Sequence, residues 1–526
     1  MNSQKWRKEK KMVKHIYSRV KRSGSSKILL LVTSVALTML FSWSSTASYP
    51  AAAQQGTAQP NFVFILADDM RYDDMQYMPK TRSLLQDQGM SFEEAFVSNA
   101  LCCPSRATIM RGQYSHNNGV WTNNGSNGGW WTYQRHGGEQ DNVATRLDAI
   151  GFRTGLFGKY LNGYKGSAVP RGWDVWFGGV KMSGVEYYDY DINDNGTIRH
   201  FGATDKDYLT DVLRMQTKAF IGASVAQGKP FFAYVAPTAP HGPLIPATRD
   251  LHAYDGEKAP RPPSFNEDDV SDKPPWISSR PPLRDDQIAQ IDTRQENRAE
   301  TLQALDDLIE GIVNKLNSDR VLNNTYIFFT SDNGLESGEH RIPGGKLRPY
   351  EESIRMPLLV RGPGVAADST TDKLALNTDY LPTFTNLADT QKPDYVDGRS
   401  LRPVLKGNVT TWRGAILLEA ARYHSPAYAG IRTSDRKYVE YNGGARELYN
   451  LGVDPYELTN RYNAATPPKA LAARLQALKT CGADAALSCR TAEDGQEWFS
   501  GSQRSAARGT EALRTPAAWP SIHRSA

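Results

Sequence analysis

Four short apolar runs constrain the fold most strongly, because helix-like segments separate them and polar residues follow each run. The runs occupy residues 62–66, 152–157, 231–235 and 326–329. Uninterrupted apolar runs of this length are typical of strands that are buried on both faces of a parallel sheet. The sequence therefore predicts an α/β domain built on a large, mostly parallel sheet flanked by helices.

The polar residues after these runs are expected to meet at one edge of the sheet. They are, in chain order, Asp68 and Asp69, Lys159, His241, and Asp332 with Asn333. Open α/β sheets bind ligands at the carboxyl ends of their strands. These side chains are therefore predicted to line one crevice.

The acidic and amide members of this group suit a hard divalent cation. Asp68, Asp69, Asp332 and Asn333 offer oxygen ligands, and no Cys/His zinc spacing lies nearby. Calcium is the first expectation and magnesium the second. Each pair alone is equally typical of a turn or a helix cap, so the prediction depends on all four residues together.

The segment 101–112 is predicted to contain a helix that begins just after Cys102 and ends before Gly112. Pro104 suits a first helical turn, and Gly112 suits the position after the last turn. Cys102 would then lie just ahead of a helix N-terminus, where free N–H groups favour an anion. The alternative is a pair of small buried thiols, since cysteine is among the most buried residue types.

Cys102-x-Pro104-Ser105-Arg106 resembles the signature of the type I, formylglycine-dependent sulfatases of the alkaline phosphatase superfamily. Residues 107–117 extend the similarity toward the N-acetylglucosamine-6-sulfatase and heparan endosulfatase branch. The resemblance covers roughly residues 61–460 and implies a large mixed sheet with a smaller C-terminal α+β domain. It also implies that a formylglycine-generating enzyme oxidises Cys102 to formylglycine, while Cys103 stays an ordinary buried cysteine.

The same resemblance implies roles for the other candidate residues. Asp68, Asp69, Asp332, Asn333 and the modified Cys102 would bind the metal, and Asp332 would accept a proton from the nucleophile. Arg106 would hold the formylglycine hydroxyl, and Lys159, His241 and Lys346 would contact sulfate or protonate the leaving oxygen. Leu161 stands where many arylsulfatases have histidine. That departure favours a sulfated sugar as substrate and leaves Asn162 or His116 to contribute instead.

The resulting prediction is a sulfuric ester hydrolase that acts on a sulfated sugar, such as N-acetylglucosamine 6-sulfate, or on an aryl sulfate. A broad arylsulfatase and a phosphonate or phosphodiester hydrolase of the same superfamily are the enzymatic alternatives. A non-catalytic glycan-binding protein is the alternative of another class. Trp130 and Trp131 could stack on sugar rings or pack on the domain.

The N-terminal segment predicts export. Residues 1–27 hold ten Lys/Arg and one acid, and an apolar run at 28–41 precedes small residues near the end of the predicted leader, 1–53. The whole chain carries +5, residues 1–27 carry +9, and the remainder therefore carries −4, which gives no reason to expect nucleic-acid binding. The expected location is secreted or cell-envelope/periplasmic, with no stable membrane insertion after cleavage. An uncleaved anchor is the alternative.

Three regions are predicted beyond the leader. Residues 60–402 form the catalytic domain, 403–490 a smaller domain with an antiparallel sheet, and 491–526 a polar tail. Residues 260–282 are expected to wrap the surface, and 285–316 to form a core-packing helix that allows a break near Thr293. Cys481 and Cys489 are expected to form a disulfide, with two free thiols as the alternative.

Overall fold

A computed structural model describes residues 59–166, 168–182, 186–422, 426–482 and 488–495. The predicted leader and residues 496–526 of the predicted tail lie outside the described residues. No helix among the described residues is both long enough and apolar enough to cross a membrane.

In the part of the chain that the structure describes, twelve strands precede the C-terminal region. They are β1 Asn61–Ala67, β2 Met90–Phe92, β3 Ala95–Phe96, β4 Arg153–Gly158, β5 Val175–Gly179, β6 Tyr190–Asp194, β7 Thr197–Phe201, β8 Phe231–Ala236, β9 Thr325–Ser331, β10 Leu358–Arg361, β11 Ser369–Thr371 and β12 Ala375–Leu376. Ten of them form one sheet in the order β11-β2-β10-β9-β1-β8-β4-β5-β6-β7, and β12 pairs with β3.

The centre of this sheet is parallel and its margins are mixed. Strands β9, β1, β8, β4 and β5 are parallel neighbours, whereas β10 and β6 run antiparallel to the adjacent strands. Strands β1, β8 and β9 are buried along their whole length, as uninterrupted apolar runs predict. The four predicted strands are therefore β9-β1-β8-β4, and their carboxyl ends share one edge.

Helices cover both faces of the sheet. Five have eight or more residues: α1 Cys102–Arg111, α2 Leu209–Ala226, α3 Asp285–Ser318, α4 Tyr380–Leu387 and α5 Lys469–Thr480. Shorter helices are Pro79–Thr81, Ser115–Asn118, Gly129–Arg135, Val143–Asp148, Pro275–Ser278, Glu351–Ile354, Arg402–Leu405 and Cys489–Asp494, with 3-10 or π turns at Tyr72–Tyr77, Arg82–Gln86, Asp205–Asp207, Thr248–Asp250, Leu322–Asn324 and Asn377–Asp379. Helices α1 and α4 pack on one face, and α2 and α3 pack on the other.

The suggested break in α3 is wrong. The helix continues through Thr293, whose hydroxyl donates a hydrogen bond to the Ala289 carbonyl, one turn earlier (3.1 Å). A β-branched residue whose hydroxyl bonds back to the preceding turn is tolerated inside a helix, so no break is needed.

A second sheet follows at the C-terminus. Its strands β13 Ile416–Ala420, β14 Tyr428–Arg432, β15 Arg436–Tyr441 and β16 Arg446–Asn450 are antiparallel in that order. Helix α5 packs on this sheet through Leu475 and Leu478. The predicted fold class is confirmed, and the domain boundary near residue 402 stays a prediction.

Buried ion pairs hold the two sheets together. The Lys437 ammonium lies 3.0 Å from Glu351 and 2.7 Å from Glu457, and all three side chains are buried. The wrapping segment 260–282 adds Lys273, whose ammonium donates to the Leu458 carbonyl (2.7 Å). These contacts tie β15 to the helix Glu351–Ile354 and to the segment after β16, and removing one partner would leave an uncompensated buried charge.

The cysteines behave as the sequence indicates. Cys481 and Cys489 form a disulfide, while Cys102 and Cys103 are free and buried. Burial raises the pKa of the Cys103 thiol to about 12. Helix Cys489–Asp494 shows that residues expected at the start of the polar tail are ordered, since Glu493 is buried and accepts a hydrogen bond from Tyr114 (2.7 Å).

Candidate active site

Helix α1 begins at Cys102 itself. The sequence indicates a start one residue later, with Cys102 just ahead of the helix. Leu101 has an extended backbone and caps the helix, and Gly112 ends it in the left-handed region with φ 66°. A Cβ at Gly112 would lie 3.2 Å from the Thr378 carbonyl oxygen. Both the conformation and this close approach therefore require glycine.

The Cys102 sulfur lies among residues that follow three different strands. It is 3.8 Å from Asp68 Oδ1 and 2.8 Å from Lys346 Nζ. One ligand atom from each of Asp68, Asp69, Cys102 and His241 lies within 4.8 Å of the other three. The predicted convergence of these side chains at one edge of the sheet is therefore present, with the Cys102 sulfur among them.

Asp332 and Asn333 reach the same crevice through Asp69. Asp332 Oδ1 accepts a hydrogen bond from the Asp69 backbone N–H (3.1 Å), and the Asn333 amide donates to Asp69 Oδ1 (2.6 Å). The Asn333 side-chain oxygen is buried and has no hydrogen-bond partner among the described residues. A buried amide oxygen without a partner is costly in a folded protein unless it has a ligand.

Arg106 connects two of the carboxylates. Its Nε donates to Asp332 Oδ2 at 2.7 Å, and its guanidinium lies 3.6 Å from Asp68. Another guanidinium nitrogen donates to the Lys159 carbonyl (3.0 Å). All of these groups are buried, so Arg106 fixes the positions of carboxylates that belong to different strands.

The two predicted lysines pair with the two adjacent aspartates. Lys159 contacts Asp68, and Lys346 contacts Asp69. Burial would raise the pKa of Asp68 and of Asp69, but the neighbouring lysines and His241 hold both pKa values below the ordinary range. The same carboxylates raise the pKa of Lys346 well above its usual value despite its burial. The site therefore keeps opposite charges together away from water.

His241 presents one ring nitrogen to the site. Its Nδ1 lies 2.7 Å from the Gly242 carbonyl oxygen, and its Nε2 lies 3.5 Å from Asp69 Oδ2. Burial lowers the pKa of His241, but Asp69 and Asp68 outweigh burial and raise it to about 9. The hydroxyl of Tyr187 donates to the His241 carbonyl (2.6 Å) and so fixes the backbone here.

Two supporting residues were not predicted from the sequence. Arg298, on α3, contacts the Asp69 carbonyl and donates to Asp74 Oδ2 (2.7 Å). Ser331, the last residue of β9, accepts a hydrogen bond from the Met70 N–H (2.9 Å). Asp69 itself has φ 64°, an uncommon conformation that these neighbours hold in place. Ser331 follows apolar residues in the sequence, which is a weak indication of a functional position. The helical pattern around Arg298 gives no such indication.

His116 has a different role from the one expected. Its Nδ1 lies 2.8 Å from Glu419, and its Nε2 lies 3.0 Å from the Cys481 carbonyl oxygen. Nδ1 therefore links the segment after α1 to β13, and Nε2 links it to the residue after α5. Asn162 is buried, and its carbonyl accepts a hydrogen bond from the Trp130 N–H (2.8 Å). Trp130 packs inside with its indole N–H on Glu139 (2.6 Å), whereas Trp131 is 59% exposed.

The His116–Glu419 pair predicts a pH-dependent stability. Burial lowers the pKa of His116, but Glu419 outweighs it and raises this pKa from 6.5 to about 9. The charged imidazole therefore stabilises the fold fully below pH 6.5 and loses this effect as the pH rises through about 9. The free energy of unfolding should fall by about 2 to 3 kcal/mol over that interval from this residue. Denaturant titrations at both ends of the interval measure it.

His116→Gln is the control for this prediction, because glutamine keeps a polar side chain that does not titrate. The variant should be less stable than the wild type near neutral pH, and its stability should change less between pH 6.5 and 9.5. An identical pH dependence in the two proteins would contradict the assignment.

The donor set fits a hard divalent cation. Three buried carboxylates and the unpartnered Asn333 oxygen are the oxygen ligands that calcium and magnesium prefer. Asp68, Asp69, Asp332 and Asn333 could therefore hold such an ion beside Cys102. The lysines and His241 lie on the same crevice and could receive an anionic substrate group.

Two family models match the chain. The Sulfatase model matches residues 60–390, and the N-sulphoglucosamine sulphohydrolase C-terminal model matches residues 338–480. The human N-acetylglucosamine-6-sulfatase is 34% identical over 491 residues, which cover 83% of this chain and 87% of that protein.

Further similarity extends to an extracellular sulfatase and to a solved structure. A Caenorhabditis elegans homologue of an extracellular sulfatase is 36% identical over 380 residues, and the match spans 69% of this chain and 53% of that protein, about half of its length. A solved protein in complex with its substrate D-glucosamine-2-N,6-O-disulfate aligns with a TM-score of 0.70 at 24% identity, covering 80% of this chain and 97% of that one. This last likeness bears on the fold.

Proposed function

Since this chain belongs to the sulfatase family, whose members hydrolyse sulfate esters, we propose that it removes sulfate from a sulfated sugar. The proposed substrate class is glucosamine 6-sulfate and its N-acetyl form. The name of the human relative and the ligand of the solved structure support this class. The observation that carries the proposal is the position of Cys102, which begins α1 and lies between buried carboxylates and the ammonium of Lys346.

The proposed site uses two groups that the chain would acquire. When present, Ca²⁺ supplies positive charge at the sulfate oxygens, and formylglycine at position 102 supplies a hydrated aldehyde as the nucleophile. Asp68, Asp69, Asp332 and Asn333 would hold the cation. A formylglycine-generating enzyme would modify Cys102 during export, which the basic and apolar leader and the extracellular relative support.

The residues of the chain divide the remaining tasks. Lys159 and Lys346 place positive charge where the sulfate oxygens would lie, and this charge reduces their repulsion of an incoming nucleophile. His241 presents Nε2 to the site and is the proposed proton donor to the leaving alcohol oxygen. Arg106 keeps the carboxylates in place.

The geometry favours Asp68 over Asp332 as the acceptor of the nucleophile's proton. Both oxygens of Asp332 already accept hydrogen bonds, one from the Asp69 N–H and the other from Arg106. Asp68 Oδ1 lies 3.8 Å from the Cys102 sulfur. We therefore assign proton acceptance to Asp68 and a supporting electrostatic role to Asp332.

Removal of divalent cations is expected to abolish sulfate release. The carboxylates would lose the ion that offsets their charge near the sulfate, so kcat should fall by at least about 10²-fold, the scale of losing one electrostatic contributor. Activity should return with Ca²⁺ more fully than with Mg²⁺, because Mg²⁺ demands stricter octahedral geometry. Sulfate release after chelation and re-addition of each ion measures this. Full activity in the chelated protein would contradict the metal assignment.

The rates on three substrates and the mass of the peptide that contains Cys102 distinguish the competing functions. Rates on N-acetylglucosamine 6-sulfate, an aryl sulfate and an aryl phosphodiester should be highest for the sugar sulfate. A faster phosphodiester would overturn the proposal in favour of a phosphodiester hydrolase. The mass of the peptide that contains Cys102 should show the aldehyde in protein from the native host. An unmodified Cys102 there, together with no sulfate release, would favour a glycan-binding protein.

A further inference from the structure

A groove of about 780 Å³ lies between the catalytic sheet domain and the C-terminal sheet. One wall is the loop 121–127, and the other is formed by β13, β14 and β15; we call it the C-terminal groove. Its volume falls within the range of about 300–1,000 Å³ that is typical of small-molecule binding sites. None of the residues proposed above for catalysis lines it.

One wall of the C-terminal groove, the loop 121–127, adjoins the start of helix α1 beside Cys102. In the loop, the side-chain oxygen of Asn123 accepts a hydrogen bond from the Cys103 N–H (2.9 Å). A ligand in the groove would therefore have one end beside the proposed sulfate site.

The walls offer the groups that bind sugars. Asn124, Asn127 and Asn442 line the groove together with Trp121 and Tyr441. Amides bind hydroxyls by paired hydrogen bonds, and aromatic rings pack against the apolar faces of sugar rings.

One wall of the groove also carries a hydrogen-bonding group without a partner. Tyr428 lines this wall, and its hydroxyl is buried without a hydrogen-bond partner among the described residues. Such a hydroxyl adds one hydrogen-bonding group to the polar side of this wall.

The rim of the groove carries a net positive charge. Lys479 and Arg446 share the single carboxylate of Glu440 at 3.6 and 3.9 Å. His116 and Glu419, which also line the groove, pair with each other at 2.8 Å. The two rim cations therefore exceed their acid by one charge, and this excess favours an anionic ligand.

We propose that the C-terminal groove binds the sugar residues next to the sulfated one in an anionic oligosaccharide. The inference rests on the proposed function, because it assigns the adjoining site to the sulfated sugar. A longer glycan would contact the site and the groove together, whereas a monosaccharide would contact the site alone. The enzyme should therefore prefer oligosaccharides.

The test measures binding to a variant that cannot turn over. In Cys102→Ala, calorimetry at physiological salt compares glucosamine 6-sulfate with an anionic tetrasaccharide that carries the same sulfated residue at one end. The tetrasaccharide should bind at least about tenfold more tightly. Equal Kd values for the two ligands would overturn the proposal.

A matched pair of charge changes tests the rim. Adding Arg446→Gln and Lys479→Gln to Cys102→Ala should reduce the tetrasaccharide preference to below about threefold. The control adds Lys373→Gln and Arg436→Gln, which remove the same charges from exposed positions outside the groove. The control should keep the preference, and an equal loss in both variants would overturn the assignment to the groove.

Failure of the proposed catalytic function would give a different experimental result from failure of the groove proposal. Wild-type protein that releases no sulfate from either glucosamine 6-sulfate or the tetrasaccharide would overturn the catalytic proposal, whatever the Kd values are. Wild-type protein that releases sulfate but shows no tetrasaccharide preference in the Cys102→Ala measurement would overturn only the groove.

Discussion

Replacement of Cys102 by serine is expected to stop turnover and to leave sulfate attached to the protein. The serine oxygen would bond to sulfur while the ester S–O bond breaks, and the alcohol would leave with a proton from His241. Serine has no second hydroxyl to expel the sulfate, so the new ester should persist. The turnover rate should fall by roughly 10⁴- to 10⁶-fold, the scale of losing a nucleophile.

Intact mass after incubation with substrate measures this directly. Cys102→Ser should gain one SO₃ group per chain, and the unincubated protein should show an unmodified serine. Cys103→Ala is the matched control, because Cys103 is equally buried on the same helix and its backbone N–H, which donates to Asn123, is kept in the variant. The control should keep turnover. Persistent turnover in Cys102→Ser, or equal loss in Cys103→Ala, would contradict the role of Cys102.

The sequence predicted the central strands because burial determines their composition. A strand covered by helices on both faces has no solvent side, so β1, β8 and β9 appear as plain apolar runs. Their order in the chain does not encode their order in space. The convergence of Asp68, Lys159 and Asp332 followed from a general rule for α/β sheets, which the structure confirms.

The shortest strands could not be predicted in the same way. Strands β2, β3, β11 and β12 have only two or three residues each. Such short strands have no measurable periodicity and form only because the neighbouring chain is already in place. Their pairing depends on the tertiary structure rather than on local sequence.

The supporting residues of the site could not be predicted from the sequence for a related reason. Arg298 lies on a helix whose apolar spacing predicts packing, and nothing local indicates that its guanidinium contacts the Asp69 carbonyl. His116 follows the cysteine helix, but its partner Glu419 is more than three hundred residues away in sequence. Long-range polar contacts of this kind have no periodic signal, so the role of His116 emerged only from the structure.

Asp332→Asn is expected to lower both stability and activity sharply. Asp332 and Arg106 are almost completely buried, so the substitution would leave the Arg106 charge without its 2.7 Å partner. Breaking a buried pair in this way costs about 3–5 kcal/mol. Loss of the charge beside the proposed cation should also reduce kcat/KM by about 10³-fold.

Asp194→Asn is the matched control for Asp332→Asn. It breaks an Arg–Asp contact of the same length, 2.7 Å, but the side chains of Arg199 and Asp194 are 48% and 27% exposed. Solvent screens such a pair, so its loss should cost no more than about 0.5 kcal/mol and leave activity intact.

A second measurement keeps the prediction meaningful if Asp332→Asn is poorly folded. Ca²⁺ should raise the Tm of the wild type by binding only the native state, and it should raise the Tm of the variant less, because one ligand has lost its charge. Equal shifts would place the cation away from Asp332, even if activity were lost. The combination of Tm shift, stability and kcat/KM therefore separates a metal ligand from a residue that only anchors Arg106.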